Sequence, residues 1–302
     1  MIIKKLRTGT SFLFLSLLCV TCFITSGNAQ SQRSTSESFS FAFITDIHLE
    51  YKGSTLKYFD EAVETIKKLS PDFIITGGDN IIDATRSDES RADSLYNLYL
   101  SQIKRFNLPV HTGIGNHESF GVNNPKISPD NPLYGKKMFE SKIGNRYYSF
   151  IHKGWKFFMI DGIIATSSGY KYIGCIDDEQ MNWIMQELTA TDSLTPLVIF
   201  SHIPFISSYK KFELGSLSGN PENDGISNSI DFFKLFDHHN LKLVLGGHFH
   251  FLEVLYANDI YYVTGPSLTA RWGNKFTRKS GLFIFKTEGN DLKWEFVENN
   301  LD

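Results

Sequence analysis

The sequence predicts an α/β fold in which buried strands alternate with amphipathic helices. Short apolar runs recur along the chain, and several are separated by helix-length segments that carry apolar residues on one face. Many of the apolar runs end abruptly in glycine, aspartate, asparagine or histidine. Because parallel strands joined by right-handed helical crossovers end at the same edge of a sheet, we expect these polar residues to gather at one edge, where such folds place their sites.

The first strand–helix unit begins at residue 41. Residues 41–44 form an apolar run, and Asp46 and His48 follow it, two positions apart. The next segment, residues 54–69, has helical periodicity, and Pro71 follows its end. One face of this helix carries the apolar side chains Leu56, Phe59, Val63 and Ile66. We predict a buried strand that presents two polar side chains, followed by a helix that packs on the sheet.

Two further units repeat this arrangement. A second strand is predicted in residues 72–76, and two glycines then lead to Asp79. A helix is predicted over residues 88–106, and the strand after it, residues 109–114, leads to Asn116. Each strand therefore presents a potential metal ligand where it ends.

In the middle of the chain, the sequence predicts a loop and two strands of a second sheet. Residues 121–135 are rich in asparagine, proline and glycine, and we expect a loop beside the site that shapes substrate access. Segments 147–150 and 155–160 predict a hairpin of the second sheet. A helix marked by Met181, Ile184, Met185 and Leu188 follows. The buried strand in residues 196–200 then ends at His202.

The last ligand-like motif closes the predicted site. Residues 205–224 form a second polar loop, and a helix marked by Ile230, Phe233 and Phe236 follows. The segment Leu-Val-Leu-Gly-Gly-His-Phe-His then ends a buried strand in two glycines and presents His248 and His250, which face the same side in extended backbone. Later strands are predicted at residues 261–264, 281–285 and 293–297.

The first 29 residues are typical of a secretory signal peptide. Lys4, Lys5 and Arg7 precede the uncharged run 11–25, and small residues lead to a predicted cleavage site after Ala29. The apolar run is shorter than the roughly 20 residues that span a bilayer, so we expect no transmembrane span in the mature chain. We predict a signal peptide in residues 1–29, a flexible leader in residues 30–38 and one domain in residues 39–302.

The predicted location is therefore periplasmic or secreted. A lipoprotein is the weaker alternative, because Leu18 and Thr21, which precede Cys19 and Cys22, are poor at a lipidation site. Of the 3 cysteines, only Cys175 stays in the mature chain, so no internal disulfide can form.

Charge gives no sign of a surface that binds nucleic acid. The formal net charge of the 302 residues is −3, with 30 Lys and Arg against 33 Asp and Glu. Any phosphate chemistry must therefore use a local site. The oligomeric state stays open.

Taken together, the five strand ends resemble the motifs of the calcineurin-like metallophosphoesterases. Between residues 44 and 250 they read, in order, Asp-x-His, Gly-Asp, Gly-Asn-His, His and Gly-His-x-His. The resemblance implies a four-layer α/β/β/α sandwich of two mixed sheets flanked by helices, with the metal site at the carboxyl ends of the strands.

The resemblance also implies the ligands of two metal ions. Asp46, His48 and His250 would hold the first ion, Asp79 would bridge both, and the second ion would be completed by Asn116, His202 and His248. Mixed nitrogen and oxygen donors without sulfur suit divalent or trivalent ions such as Mn, Fe or Zn better than Ca. The resemblance implies that a bridging hydroxide between the two ions would then attack the phosphorus of a small phosphoester substrate, which is the expected partner.

His117 stands beside a predicted ligand, and the resemblance implies that it protonates or stabilises the leaving oxygen. The alternative is that it only orients its neighbours. Loss of His117 is expected to weaken activity but not metal binding.

Departures from two branches of the family favour a phosphodiesterase. Protein phosphatases have an aspartate, and purple acid phosphatases a tyrosine, at the position of Ile82; here Asp83 comes one place late. The Asp-x-His opening is closest to bacterial phosphodiesterases of the cyclic-nucleotide type. A phosphomonoesterase or a nucleotide pyrophosphatase stays open as an alternative.

Two alternative hypotheses assign the protein to other functional classes. A catalytically silent metal-binding scaffold is expected to have lost ligands, whereas all seven implied ligands are present here. An amidohydrolase barrel normally opens with His-x-His, which comes late in this chain.

Overall fold

The computed structural model describes residues 37–166, 172–215, 225–271 and 278–299. In chain order its strands are β1 (Phe39–Ile44), β2 (Phe73–Gly77), β3 (Val110–Gly113), β4 (Tyr148–His152), β5 (Trp155–Ile160), β6 (Ile163–Ala165), β7 (Tyr172–Gly174), β8 (Pro196–Ser201), β9 (Asn240–Gly246), β10 (Glu253–Ala257), β11 (Ile260–Thr264), β12 (Gly281–Glu288) and β13 (Asp291–Glu298). Its α-helices are α1 (Thr55–Leu69), α2 (Glu89–Ile103), α3 (Lys137–Lys142), α4 (Asp178–Thr189), α5 (Tyr209–Leu214) and α6 (Ser229–Lys234).

Two mixed sheets form the framework. The first has the order β13-β12-β1-β2-β3, with β1, β2 and β3 parallel and β12 antiparallel to β1. The second has the order β10-β11-β9-β8-β5-β4, in which the four central strands are parallel and the two edge strands antiparallel. Strands β6 and β7 pair as a separate hairpin.

Apolar clusters show that the two sheets face each other. Side chains from β1, β2 and β12 on one sheet pack against β5, β8 and β9 on the other, in a cluster that includes Phe41, Phe73, Phe157, Phe200 and Leu245. The outer face of the first sheet packs on α1 and α2, and the outer face of the second packs on α4 and α6. The four-layer α/β/β/α prediction is therefore confirmed.

Capping residues explain where several helices begin or end. The side chain of Asp88 accepts a hydrogen bond from the N–H of Arg91 at the start of α2, and Asp177 does the same for Gln180 at the start of α4. Helix α1 ends at Leu69, and its C-cap residue Ser70 adopts a left-handed conformation directly before Pro71.

The predicted strands and helices are present, with two differences of orientation. Ile230 lies on α6 but its side chain is 73% exposed, and Phe232 is buried in its place. Met185 is an exposed residue of α4. Short elements were not predicted from the sequence, among them α3, α5, β10 and the β6–β7 hairpin.

The N-terminal predictions lie mostly outside the described residues, since the signal peptide and the leader up to residue 36 are not described. Within the parts of the chain that are described, no helix is both long enough and apolar enough to cross a bilayer.

Candidate metal centre

The backbone after β1 places Asp46 and His48 at the carboxyl end of this strand, in the middle of the first sheet. The N–H of Asp46 donates to the carbonyl of Gly78 (3.1 Å), and the N–H of His48 donates to the carbonyl of Asp79 (2.9 Å). Ladder-like hydrogen bonds thus continue beyond the ends of β1 and β2. They hold two ligand-bearing segments side by side.

Site residues adopt an unusual backbone conformation. A positive φ is rare for residues other than glycine and costs of order 1–3 kcal/mol each. Positive φ values between 48° and 70° occur at Asp46, His48, Asp79, His248 and His250. Strain repeated at five such positions indicates that the fold is shaped around the function of this site.

Four side chains converge in a first group. Its members are Asp46, His48, Asp79 and His250. Nε2 of His250 lies 3.1 Å from Nε2 of His48 and 3.1 Å from Oδ1 of Asp46. Nε2 of His48 lies 3.9 Å from Oδ2 of Asp79.

A second group shares Asp79 with the first. It contains Asp79, His202 and His248. Nε2 of His202 lies 3.4 Å from Oδ2 of Asp79. The amide oxygen of Asn116 lies 3.2 Å from Nε2 of His202 and 3.0 Å from Nδ1 of His248. The structure therefore brings together all seven side chains that the sequence analysis selected as ligands.

The donor atoms fit metal ions. Ligand atoms bound to one ion at about 2.0–2.2 Å lie roughly 3–3.6 Å from each other, and most of the distances above fall in this range. Nδ1–H of His202 donates to the carbonyl of Gly77 (2.8 Å), so Nε2 carries the lone pair that a metal would use. The grouping therefore fits two adjoining metal ions with a common carboxylate.

Burial and charge shift the titration of these groups. Burial raises the pKa of Asp79, but His117 and His202 outweigh burial and hold it well below its usual value. Burial lowers the pKa of His202, but the charges of Asp79 and Asp46 raise it to about 10. Burial lowers the pKa of His48 to about 4. A proton on His202 thus offsets buried negative charge, and a bound cation would replace that proton.

His117 lies beside both groups but is not part of either. Its Nδ1 lies 2.6 Å from the carbonyl of Ile82, which accepts the hydrogen bond and directs Nε2 toward the site, 3.7 Å from Oδ2 of Asp79. Its backbone N–H donates to Oδ1 of Asp79 (2.9 Å). The ring is 31% exposed, so a substrate atom can reach it.

Glu118 connects the loops after β2 and β3, a role that the sequence analysis did not assign. Its buried carboxylate accepts hydrogen bonds from the backbone N–H groups of Gly115 (2.6 Å), Asp79 (2.9 Å), Asn80 (2.7 Å) and Ile81 (3.3 Å). Burial and the charge of Asp79 raise its pKa to about 7. Glu118 therefore fixes the backbone on which Asp79 and Asn116 stand.

Hydroxyl groups hold the loop after β1. Thr45 donates to Oδ2 of Asp46 (2.7 Å), and Ser267 donates to the carbonyl of Asp46 (2.7 Å). Thr269 donates to the carbonyl of Ile47 (2.6 Å). All three residues are buried. Isolated threonines and serines give no sequence signal, so these supports could be found only in the fold.

The comparisons with known proteins identify the family. A family model described as calcineurin-like phosphoesterase matches residues 39–252, which is more than half of the chain. The chain belongs to this family. It is thus a metal-dependent phosphoester hydrolase of the calcineurin-like type. No curated protein matches it significantly.

Solved structures share the fold of this phosphoesterase. A dimetal phosphatase from Danio rerio is similar with a TM-score of 0.62 and 14% identity, over 87% of this chain and 97% of that one. GAP50, the anchor in the inner membrane complex of Plasmodium, is similar with a TM-score of 0.54 and 19% identity, over 87% of this chain and 85% of that one. At these identities the likeness concerns the fold alone.

At Ile82, where the chain departs from two branches of the family, the backbone contacts the site. In this phosphoesterase Ile82 contributes its backbone carbonyl, which orients His117. Asp83 instead accepts hydrogen bonds from Thr85 and Arg86 and closes a turn. The neighbouring loop at 121–135 lies beside the site, as its residues Val122 and Asn123 share a pocket with His117.

Gly247 is packed so closely against Thr45 and Asp46 that a larger side chain is expected to disturb the site. A Cβ at this position would overlap Oγ1 of Thr45 and come within 2.5 Å of Oδ2 of Asp46. We expect Gly247→Ala to displace Asp46 and lower metal affinity about 10-fold to 100-fold, the range for lost support of a ligand. Gly246→Ala is the matched control, because its Cβ would approach Pro204 no closer than 3.2 Å. Metal titration that shows equal affinity in both variants contradicts the expectation.

Proposed function

We propose that this protein is an exported, binuclear metal-dependent phosphodiesterase. The observation that carries the proposal is the pair of ligand groups that share Asp79. Asp46, His48, Asp79 and His250 would hold one ion, and Asp79, Asn116, His202 and His248 the other. When bound, two such ions activate water and stabilise charge on the phosphoryl oxygens.

The side chains of the chain itself set the charge of the centre. Asp46 and Asp79 supply the anionic groups, while Asn116 and four histidines are neutral donors. Two divalent ions would therefore keep a net positive charge that attracts an anionic phosphoester. His117, held by Ile82, would donate a proton to the leaving oxygen.

The preference for a diester is supported by the small number of cationic side chains beside the site. Among the described residues that line the pocket beside His117, Arg86 is the only arginine or lysine, and its guanidinium pairs with Asp83 at 3.3 Å. A phosphodiester carries one negative charge and needs less compensation than a monoester dianion. The Asp-x-His opening of the chain favours the same branch.

The test is a side-by-side assay of residues 30–302 loaded with Mn²⁺, on bis(4-nitrophenyl) phosphate and 4-nitrophenyl phosphate. We expect a higher kcat/KM for the diester. Faster monoester turnover would make the protein a phosphatase, and turnover of pyrophosphate bonds alone would make it a pyrophosphatase.

A binding role is the outcome if two metals bind and no ester is cleaved. GAP50, which shares this fold, is described as an anchor in a membrane complex, which is a binding role. The complete set of ligand-like side chains in the present chain favours hydrolysis.

Export has its own measurement. If residues 1–29 act as a signal peptide, the full chain expressed in a bacterial host is expected to yield a periplasmic protein. The intact mass of that protein is expected to match a chain that begins at Gln30. An uncleaved chain in the cytosolic fraction contradicts export, and a lipid-modified mass at Cys19 or Cys22 supports the lipoprotein alternative.

A further inference from the structure

A pocket of about 210 Å³ opens beside His117 and Asn116. Apolar atoms make up much of its wall. They come from Tyr172, Val122, Ile163 and Ala165, and polar groups come from Thr85, Arg86, Ser119 and Asn123. A closed apolar cavity of about 150 Å³ is large enough to bind benzene, so this pocket has room for one substituted ring.

Tyr172 lines the pocket beside His248, a member of the second ligand group. Its ring centroid lies 6.2 Å from that of His248, and the two ring planes are 80° apart. The tyrosine therefore presents aromatic surface close to the predicted position of the reacting phosphorus. A planar group bound there can stack on the ring or meet its edge.

The hairpin that carries Tyr172 is firmly anchored. The N–H of Cys175 donates to the carbonyl of Gly162 (3.1 Å), and the N–H of Ser227 donates to the carbonyl of Gly174 (2.8 Å). Lys136 donates to the carbonyl of Ile163 and forms an ion pair with the fully buried Asp161 (2.5 Å). This wall is fixed by the fold.

The opposite wall is also preformed. The N–H of Ala84 donates to the carbonyl of His117 (2.9 Å), and the N–H of Gly121 donates to the carbonyl of Ala84 (3.1 Å). The N–H of Asn123 donates to the carbonyl of Thr85 (2.9 Å). Backbone hydrogen bonds thus join the turn that carries Arg86 to the loop that carries Val122.

We propose that this pocket binds the leaving group of the substrate and selects a planar, ring-sized alcohol, namely a phenol. The inference rests on the proposed function, because His117 marks the side of the phosphorus from which the alcohol departs. Because Tyr172 and His117 line the same pocket, a phenol ring against Tyr172 would direct its ester oxygen to the side of His117.

The experiment compares two reactive esters of methyl phosphate, one with a 4-nitrophenyl and one with a trifluoroethyl leaving group. We expect Tyr172→Ala to lower kcat/KM about 10-fold or more for the aryl ester, as for loss of a stacking side chain, and less than about 3-fold for the trifluoroethyl ester. Tyr172→Phe keeps the ring and is expected to keep the preference. Tyr256→Ala, an exposed tyrosine of β10, is the control for loss of a surface tyrosine.

A binding readout separates this inference from catalysis. The wild-type Mn²⁺-loaded protein is expected to bind phenylphosphonate more tightly than methylphosphonate in calorimetric titration, and Tyr172→Ala to remove the difference. Val122→Phe, which fills the pocket, is expected to exclude the phenyl compound and keep the methyl compound. Equal binding of both phosphonates by the wild type, or an equal loss for both esters in Tyr172→Ala, overturns the proposal. If the wild type cleaves neither ester, the proposed function fails while the titration still decides the pocket.

Discussion

Asp79→Asn is expected to abolish stable binding of both metal ions and to lower kcat/KM about 1,000-fold or more. The carboxylate presents a single oxygen, Oδ2, to both ligand groups, 3.9 Å from Nε2 of His48 and 3.4 Å from Nε2 of His202. Its other oxygen accepts the N–H of His117 (2.9 Å). An asparagine keeps the shape but removes the charge, and metal activation supplies several kcal/mol, at a factor of ten for each 1.36 kcal/mol.

Metal content and thermal stability measure the Asp79 effect without using activity. Ions that bind only the folded chain raise its melting temperature by mass action, so Mn²⁺ is expected to raise that of the wild type and to have little effect on Asp79→Asn. Asp93→Asn is the matched control, because Asp93 lies on α2 and is partly exposed. Two tightly bound ions in Asp79→Asn, together with wild-type activity, contradict the shared role of this carboxylate.

The site could be predicted from the sequence because its ligands follow buried strands directly. Asp46 and Asp79 each come two residues after the end of a strand, and parallel pairing of β1 with β2 brings these ends together whatever the details of the loops. His202 follows β8 in the second sheet, so the packing of the two sheets brings it to the site. The four-layer arrangement was implied by the resemblance to the family. The potential ligands at these strand ends could therefore be identified before the fold was known.

The supports of the site could not be predicted, because they depend on contacts between distant loops. Glu118 receives N–H groups from residues 37 to 39 positions away, which only the paired conformation of the two loops brings near. Tyr172 sits on β7, a strand of three residues that is too short for a periodic signal. On α6, tertiary packing buries Phe232 and leaves Ile230 exposed, against the helical face that the spacing suggested.

His117→Gln is expected to keep both metal ions and to lose activity in proportion to how much the leaving group needs a proton. General acid catalysis is typically worth about 10²–10⁴ in rate, so we expect a loss in that range for the trifluoroethyl ester. The 4-nitrophenyl ester departs as a stable anion and is expected to lose less than about 10-fold. In the metal-free protein, burial lowers the pKa of His117, but the charge of Asp79 and the carbonyl of Ile82 raise it above its usual value.

The dependence on leaving group distinguishes a proton donor from a residue that only orients its neighbours. A positioning role would lower the rates of both esters equally, because both need the same metal geometry, and that result together with unchanged metal content would remove His117 from the chemistry. His111→Gln is the matched control, since His111 lies on β3 with its ring stacked on Phe150 at 3.5 Å between centroids and belongs to neither ligand group. The pocket variant Tyr172→Ala is expected to show the opposite order, with the aryl ester affected more. The two variants together therefore separate recognition of the leaving group from its protonation.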